Sequence, residues 1–333
     1  MKQHLNTLYV TTQGAYLSAQ RETVVVRVNR EDKLRIPLHL LEGVVVFGRV
    51  KMSPSIMNRC AERGVGVSFL SERGRFLAKV QGPVSGNVLL RREQFRRTDD
   101  ETCCLQIARS IVAAKVISSR NVLLRFLRDH PEGPGQESVS AAIASMKSSL
   151  RNLRKDNSLE SVRGIEGEAA RSYFGVFNHL ILCGDDRMAF SRRIRRPPTD
   201  PVNSLLSFLY TLLTHDVRSA LEVVGLDPQV GFLHRLRPGR PSLALDLVEE
   251  MRAFVADRLA LTLINRGQVR AEGFLTTATG AIEMTDETRK MVLGGYQEKK
   301  ENEILHPFLQ EKTTIGMIPH LQALLLARHL RGD

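Results

Sequence analysis

The sequence predicts an α+β protein with a small, mainly-β N-terminal domain at residues 1–90 and a larger, all-α C-terminal domain at residues 91–333. Over roughly the first 85 positions, short segments rich in β-branched residues alternate with turn residues, which is typical of strands. From about residue 92, apolar residues recur at helical spacing to the end of the chain. A chain of 333 residues, 42% of them apolar, is long enough to form two hydrophobic cores.

The N-terminal domain opens with strand-like segments: T-L-Y-V-T, A-Y-L-S, T-V-V-V-R-V, L-R-I-P and G-V-V-V-F. One helix is expected next, because Ser53 and Pro54 form a helix start and Gly64 a glycine stop. The segments V-G-V-S-F-L and R-F-L-A-K-V then indicate two more strands. The short turns between the segments predict a fold in which hairpins make most of the connections.

Two breaks interrupt the helical region. Residues 129–138, D-H-P-E-G-P-G-Q-E-S, form a loop by their proline and glycine content. Residues 192–201, R-R-I-R-R-P-P-T-D-P, are too dense in proline to continue a helix. The second break also carries four arginines, Arg192, Arg193, Arg195 and Arg196.

The charge of the chain indicates a polyanionic partner. Its formal net charge is +12, from 48 Lys and Arg against 36 Asp and Glu, and nucleic acid is the leading candidate because clustered cations displace counterions from a phosphate backbone. The absence of a G-x-x-x-x-G-K-[ST] or G-x-G-x-x-G loop argues against an NTPase or a dinucleotide enzyme. A G-x-S-x-G hydrolase motif is absent too.

The cysteines and the N-terminus predict a cytoplasmic protein that does not enter a membrane. None of the cysteines has zinc-site spacing, so reduced, structural thiols are expected. They are Cys60, Cys103, Cys104 and Cys183. The N-terminus lacks an apolar signal core, and no run approaches the roughly 18 apolar residues of a membrane span.

Two glutamates in R-G-I-E-G-E-A-A-R-S-Y-F, residues 163–174, are the first candidates for chemistry. A helix beginning near Gly164 would turn Glu166 inward and Glu168 toward solvent. The inward face would also hold Ala170, Tyr173 and Phe177. A carboxylate on such a face is costly to bury unless it is paired, hydrogen-bonded or bound to a metal. The alternative is that both acids simply favour the positive end of a helix.

The second candidate is F-L-H-R-L-R-P-G-R-P-S-L-A-L-D-L-V-E-E-M, residues 232–251. His234 precedes a basic loop, and Pro241 and Ser242 open a helix. That helix carries Asp246, Glu249 and Glu250 on neighbouring turns of one face. Three acids so close repel one another, and a divalent cation is the usual reason to tolerate this.

One imidazole with several carboxylates suits Mn²⁺ or Mg²⁺ better than zinc. The loop arginines Arg235, Arg237 and Arg240 would suit a phosphate beside the metal. The alternative is a solvated acidic stripe, balanced by Arg252 and Arg258.

These two segments, with R-R-P-P-T-D-P-V-N-S-L-L-S-F-L-Y-T-L-L between them, resemble the CRISPR-associated endonuclease and integrase of spacer acquisition, the first protein of the Cas series. The resemblance covers nearly the whole chain. It implies that the β-rich domain mediates homodimerisation and that the helical domain is catalytic.

The resemblance also implies the site. The metal ligands would be Glu166, His234 and Glu249, and Asp246 matches a second acid that the family needs for activity. Asn203 and Tyr210 match positions that line the same site. The metal would be Mn²⁺ or Mg²⁺.

The implied reaction joins the 3′-OH ends of foreign DNA fragments, the spacers, to the CRISPR repeat array by transesterification. With water as the nucleophile, the same site would hydrolyse DNA. The arginines expected to neutralise the flanking phosphates are Arg192, Arg193, Arg195, Arg196, Arg235, Arg237 and Arg240. Two homodimers would flank a dimer of a small ferredoxin-like partner, the second protein of the Cas series.

Two alternatives of other kinds stay open. One is a metal-dependent DNA-repair nuclease that uses the same residues without integrating anything. The other is a basic DNA-binding protein without catalysis, whose acids form a solvated stripe.

Overall fold

The computed structural model describes residues 7–41, 43–72, 76–80, 82, 88–155, 158–194 and 197–333. The chain forms two compact units. Unit 1 consists of Met1–Gly86 and Arg289–Ile318, and unit 2 of Asn87–Thr288 and Pro319–Asp333. The sequence-based division at residues 90 and 91 does not include the return of Arg289–Ile318 to the first unit.

Short strands form most of the N-terminal part of unit 1, as predicted. In the described part of residues 7–80 they are β1 (Thr7–Val10), β2 (Tyr16–Gln20), β3 (Thr23–Val28), β4 (Glu31–Pro37), β5 (Gly43–Phe47), β6 (Lys51–Met52), β7 (Gly66–Leu70) and β8 (Phe76–Val80). One sheet has the order β4-β3-β2-β6, and the other has the order β1-β5-β7-β8.

Hairpins make fewer of the connections than the sequence predicts. Strands β1, β5 and β7 are parallel, with Val44 of β5 opposite Leu8 on one side and Val67 on the other. Parallel neighbours need crossover connections, and the crossovers here carry strands of the other sheet and an α-helix. The turn residues indicate where strands end but not which strands pair.

That helix, α1 (Pro54–Glu62), begins and ends where the sequence predicts. The Ser53 hydroxyl accepts a hydrogen bond from the Ile56 N–H at 3.4 Å, and Pro54 occupies the first helical position, where its missing N–H costs nothing. Gly64 follows with a φ of +69°, a conformation that favours glycine. Ile56 and Cys60 are buried in the core between the strands.

Unit 2 is mostly helical, which confirms the predicted class. In the described part of residues 88–265 its α-helices are α2 (Val88–Thr98), α3 (Glu101–Asp129), α4 (Gln136–Leu153), α5 (Leu159–Gly175), α6 (Pro201–Val224), α7 (Ser242–Met251) and α8 (Arg258–Asn265). A π-helical turn, Arg252–Asp257, connects α7 to α8. The two predicted breaks are present, at residues 130–135 before α4 and ahead of α6.

The expectation of an all-α C-terminal region needs a correction, because two short hairpins interrupt it. The first joins β9 (Phe274–Thr276) to β10 (Ile282–Met284). After α9 (Asp286–Glu301), the second joins β11 (Glu303–Leu305) to β12 (Lys312–Thr314), and α10 (Ile318–Arg331) ends the chain. Strands of three residues are too short to give an alternating pattern in the sequence.

The long helix α3 organises unit 2. It packs against α4, α5 and α7, and α6 packs against α7. Side chains from α3, α5 and α7 can therefore meet.

Within the described residues, no helix is both long and apolar enough to cross a bilayer. All four cysteines are free thiols, as predicted.

Candidate active site

Glu166 lies well inside a helix. Helix α5 begins at Leu159, earlier than the predicted start near Gly164, because the Ser158 hydroxyl caps it by accepting from the Ser161 N–H at 3.2 Å. Glu166 is therefore two turns from the N-terminus, and the acid in the first turn is Glu160. The field of the helix end acts within the first turn, so the helix-terminus alternative does not explain Glu166.

The predicted orientations of the two glutamates are confirmed. Glu168 is exposed, whereas the side chain of Glu166 is 26% exposed and turns toward α3. There its carboxylate accepts a hydrogen bond from the ammonium of Lys115. The inward glutamate is thus paired, as a carboxylate facing a protein interior must be.

Asp246 on α7 organises the turn that carries His234. It is fully buried, and its Oδ2 accepts from the N–H groups of Phe232 at 2.6 Å and Leu233 at 3.0 Å. Its Oδ1 accepts from the His234 N–H at 2.9 Å and lies 2.6 Å from the ring Nδ1 of the same residue. Both carboxylate oxygens are therefore used within the protein.

This arrangement sets the tautomer of His234. A neutral imidazole that donates Nδ1–H to Asp246 keeps the lone pair of Nε2 available to a ligand. The Nε2 atom lies 4.0 Å from Oε1 of Glu249, one turn further along α7. The contact of Asp246 with His234 is the kind of outer contact that orients a metal-binding histidine.

The turn preceding His234 requires glycine at position 231. A Cβ there would lie 2.6 Å from the backbone carbon of Ser242 and 2.7 Å from Oδ2 of Asp246. On the other side, Nε of Arg163 on α5 donates to the carbonyl of Leu233 at 2.8 Å. The turn is thus fixed to both helices that supply acids to the site.

Glu249 is the most buried acid of the candidate ligands, with a side chain 3% exposed. Burial by itself disfavours its ionised form, but the positive charges of Arg252 and Lys115 outweigh it and lower the pKa of Glu249 to about 2. Its Oε1 lies 2.5 Å from Nη1 of Arg252, and its Oε2 lies 2.7 Å from Nζ of Lys115. Glu249 is therefore ionised across the physiological pH range.

Lys115 is the part of this centre that the sequence-based prediction missed. Its ammonium contacts Glu166 on α5 and Glu249 on α7, and the residue itself is buried on α3. A signal for it exists in the sequence, because Lys115 lies on the apolar face of α3 with Ile111 and Val112. A lysine on such a face is rarely buried without acidic partners.

The residues present fit a hard divalent cation. Within the described residues no three acidic, histidine or cysteine side chains are already arranged as a metal cluster, since the Lys115 ammonium lies between the two carboxylates. The donor set nevertheless comprises two carboxylates and an imidazole Nε2, which suits Mn²⁺ or Mg²⁺. The buried Oε2 of Glu249 is directed at a cation already, the Lys115 ammonium at 2.7 Å.

A pocket of about 340 Å³ adjoins this centre. Its lining includes Lys115 and the acid Glu249, together with Arg192, Arg193, Tyr210 and Arg252. Positive side chains thus line a cavity beside the acids. Arg195 and Arg196 lie outside the described residues.

Sequence comparison identifies the family. Residues 8–298 match the family described as CRISPR associated protein Cas1. The chain belongs to the Cas1 family. It is 52% identical over 333 residues to CRISPR-associated endonuclease Cas1 1 of Chlorobaculum tepidum, covering 100% of this chain and 97% of the relative. A second relative, CRISPR-associated endonuclease Cas1 2 of Rhodospirillum rubrum, is 52% identical over 337 residues, with the same coverage.

Solved structures of similar fold include a Cas1 protein from Thermotoga maritima, with a TM-score of 0.82, 23% identity and coverage of 98% of this chain and 97% of that one. A casposase bound to integration product has a TM-score of 0.84 at 22% identity, over 98% of this chain and 91% of that one. A Cas6-RT-Cas1–Cas2 complex contains a chain that matches 100% of this one over 35% of its own length, with a TM-score of 0.80 at 24% identity. These likenesses confirm the Cas1 fold.

Asn203 does not line the pocket, but it hydrogen-bonds the segment of residues 192–194 next to it. It is fully buried, and its Oδ1 accepts from Nη1 of Arg193 at 2.7 Å and from the Ile194 N–H at 2.9 Å. Its Nδ2 donates to the Arg192 carbonyl at 2.8 Å and to Asp200 at 2.6 Å. Asn203 therefore fixes the arginine segment that borders the pocket.

Tyr210 lines the pocket, as predicted, and connects its arginines to a further acid. Its hydroxyl donates to Oδ1 of Asp257 at 2.6 Å, and its ring centroid lies 5.1 Å from the guanidinium carbon of Arg193 and 4.8 Å from that of Arg252. Burial raises the pKa of Asp257 to about 6, although the hydrogen bond from Tyr210 opposes it. Asp257 ends the π-helical turn that begins at Arg252, and the sequence-based prediction missed it.

The acids of α7 do not form one face. Asp246 and Glu249 face the His234 turn and α3, whereas Glu250 accepts a hydrogen bond from Nε2 of Gln322 on α10 at 2.6 Å and lines a different pocket of about 230 Å³. Asp246 and Glu249 are 0% and 3% exposed, so the solvated-stripe alternative is wrong for them.

The three loop arginines lie outside the pocket lining. Arg235 and Arg237 are exposed and Arg240 is half-buried. Arg235 is paired with Glu160 of α5 at 2.9 Å.

Proposed function

We propose that this Cas1-family protein is a metal-dependent DNA endonuclease and integrase of CRISPR adaptation. It would join the 3′-OH ends of foreign DNA fragments to the CRISPR repeat array by transesterification, and it would hydrolyse DNA at the same site. The observation that carries the proposal is the Asp246-held imidazole of His234, whose Nε2 faces Glu249 while Glu249 and Glu166 converge on one cation, Lys115.

Glu166, His234 and Glu249 would hold the Mn²⁺ or Mg²⁺. When bound, such a cation polarises a phosphate and lowers the pKa of the attacking hydroxyl group. Asp246 keeps the proton on Nδ1 of His234 and so keeps Nε2 free. Glu249 stays ionised because of Arg252 and Lys115.

The pocket beside these residues would receive the phosphodiester that is attacked. Arg192, Arg193 and Arg252 supply its positive charge, and Arg193 and Arg252 are held against the ring of Tyr210. Fixed cations stabilise the extra negative charge of a phosphoryl-transfer transition state without reorganisation. Because they contact phosphates, they carry little sequence preference.

The comparisons support this reaction class. The similar relatives are named CRISPR-associated endonucleases, and the casposase of similar fold has been determined with an integration product. The Cas6-RT-Cas1–Cas2 complex supports a Cas2-type partner. We therefore also propose a homodimer formed through the β-rich unit and an assembly with the small ferredoxin-like Cas2 protein, which light scattering of the separate and mixed proteins would measure.

A strand-transfer assay tests the function. The protein and its Cas2-type partner are mixed with Mn²⁺, a plasmid that carries the repeat, and labelled DNA fragments with either 3′-OH or dideoxy 3′ ends. We expect joining of the 3′-OH fragments alone, because the dideoxy ends lack the nucleophile, and cleavage in both reactions. Cutting without joining would favour a repair nuclease, and binding without either reaction would favour a non-catalytic DNA-binding protein.

A further inference from the structure

Lys115 occupies the centre of the candidate metal site. Its ammonium hydrogen-bonds Glu166 and lies 2.7 Å from Oε2 of Glu249, so one cation bridges carboxylates from two different helices. The side chain of Lys115 is 11% exposed and that of Glu249 is 3% exposed. Each of these charges depends on the others for compensation.

The local charges already balance without a metal. Glu166 and Glu249 contribute two negative charges, and Lys115 and Arg252 contribute two positive ones. A divalent cation that bound the same carboxylate oxygens beside an unmoved ammonium would leave an excess of positive charge at close range. Binding of the cation and the present position of the ammonium are therefore mutually unfavourable.

The ammonium has space to move. Lys115 lines the pocket of about 340 Å³, and the α5 residues that also line it include Gly167 and Gly175. A Cβ built on either glycine would meet no atom within 4 Å. Lysine carries its charge on a flexible stem of four carbons, so Nζ can leave the carboxylates while the backbone of α3 stays in place.

We propose that Lys115 is an exchangeable counter-ion of the metal site, which holds Glu166 and Glu249 together before the divalent cation binds and contacts a DNA phosphate in the pocket afterwards. This inference rests on the proposed function. It assigns Lys115 two successive partners, the carboxylates and then the phosphate.

The first test measures Mn²⁺ binding by calorimetry, without DNA. Lys115→Met removes the competing ammonium at similar side-chain length, and we expect it to bind Mn²⁺ about tenfold more tightly than the unchanged protein. Lys115→Arg keeps a cation, and Ser119→Ala alters a neighbouring pocket residue of α3, so both should bind Mn²⁺ like the unchanged protein. Equal or weaker binding by Lys115→Met overturns the inference.

Thermal unfolding supplies a second, independent measurement. In EDTA, Lys115→Met should unfold at a lower temperature than the unchanged protein, because two acids lose their counter-ion. Saturating Mn²⁺ should reduce or reverse that difference, since the cation replaces the missing charge. If the two proteins differ in unfolding temperature by the same amount in EDTA and in Mn²⁺, the exchange of the Lys115 ammonium for the metal is contradicted. If Lys115→Met does not fold, Lys115→Gln, which can still hydrogen-bond the carboxylates, takes its place in both measurements.

The phosphate contact is tested by the salt dependence of DNA binding. With Ca²⁺ as the probe cation, the slope of log Kd against log salt concentration should be smaller by about one for Lys115→Met than for the unchanged protein, as expected for one lost phosphate contact. In EDTA the two slopes should be equal. Equal slopes in both conditions overturn the phosphate contact.

The outcomes separate this inference from the proposed function. If the unchanged protein and Lys115→Met both bind no Mn²⁺, the metal-dependent function itself fails. If both bind Mn²⁺ with equal affinity, the function stands and the exchange fails.

Discussion

The two halves of the candidate active site are built differently. Around His234, Asp246 receives three backbone N–H groups and a ring nitrogen, all within 3.0 Å, and Gly231 leaves no room for a larger residue. Around Glu166, the contacts are ion pairs between long side chains beside an open pocket. The first half is fixed by the backbone, and the second can exchange its partners.

This difference indicates that the two halves have different roles. The fixed half presents one imidazole nitrogen in a defined position, which a metal site needs for selectivity. In the ionic half, Lys115 and Arg252 are the counter-ions of the acids. Damage to the first half should therefore reduce stability together with activity, whereas loss of the partly exposed Glu166 from the second should reduce activity much more than stability.

The largest expected effect is on catalysis, in the ionic half. Glu166→Ala should reduce strand transfer and cleavage by at least about 10³-fold, because a metal ligand is lost, while DNA binding is largely retained. The matched control is Glu168→Ala, two residues away on the same helix and exposed, which should be nearly silent. Rates from the strand-transfer assay and fluorescence anisotropy with labelled DNA give the two measurements.

His234→Ala and Glu249→Ala should behave like Glu166→Ala in the same assays. Full activity in any of the three variants would refute the assigned ligand set. A folded but inactive Glu168→Ala protein would show that Glu166 is the wrong choice of glutamate.

The next effect is on the fixed half. Asp246→Asn keeps the size of the side chain but replaces one of its two acceptor oxygens with an amino group, which then faces backbone N–H groups that Asp246 accepts from. We expect the free energy of unfolding to fall by about 3 kcal/mol, because buried donors lose their partner. Urea unfolding measures this loss, and ¹⁵N spectra of the imidazole should show a larger fraction of the Nε2–H tautomer of His234, because an amide oxygen is a weaker acceptor than a carboxylate. Unchanged stability would mean that the turn does not depend on Asp246.

A smaller effect is expected outside both halves, at Glu250. Burial raises its pKa to about 7, against the opposing hydrogen bond from Gln322. Because the folded state then holds a proton that the unfolded state has released, stability should fall as pH rises from about 4.5 to 7. Glu250→Gln removes this dependence, so the difference in unfolding free energy between variant and unchanged protein should shift by about 3 kcal/mol between pH 4.5 and pH 8.

Urea unfolding at several pH values measures that shift, and strand transfer at constant pH serves as the control. Because Glu250 faces α10 and not the His234 turn, Glu250→Gln should retain activity. If the difference in unfolding free energy between Glu250→Gln and the unchanged protein did not change with pH, the pKa of Glu250 would be the same in the folded and unfolded states.

The sequence was informative where the determinants are local. The capping of α1 by Ser53 and Pro54, the opposite orientations of Glu166 and Glu168, and the helix start at Ser242 all follow from neighbouring residues. Helical phase assigned Glu166 inward even though the helix begins earlier than expected, since phase depends on spacing and not on the end point.

The missed features depend on residues that are distant in the chain. Lys115 meets Glu166 across 51 positions, and Asp257 meets Tyr210 across 47. For the same reason the sequence does not distinguish Glu250 from Asp246 and Glu249. The three acids share a helix and differ only in what packs against them. Spacing shows which side chains could share a face, whereas the partner of each depends on the tertiary fold.

The smallest predicted effect comes from changing glycine to alanine at one position in each half, which compares the two halves directly. Gly167→Ala adds a methyl group inside α5 where no atom lies within 4 Å, so the variant should be more stable by about 0.5–1 kcal/mol, the usual gain from alanine over glycine in a helix. Gly231→Ala adds the same methyl group 2.6 Å from backbone atoms of Ser242, which cannot move aside cheaply, and should destabilise the protein. Urea unfolding of both variants checks the opposite signs. If both substitutions were tolerated equally, the turn that holds His234 would be as adaptable as the pocket beside Glu166, and the distinction between a fixed and an exchangeable half would fail.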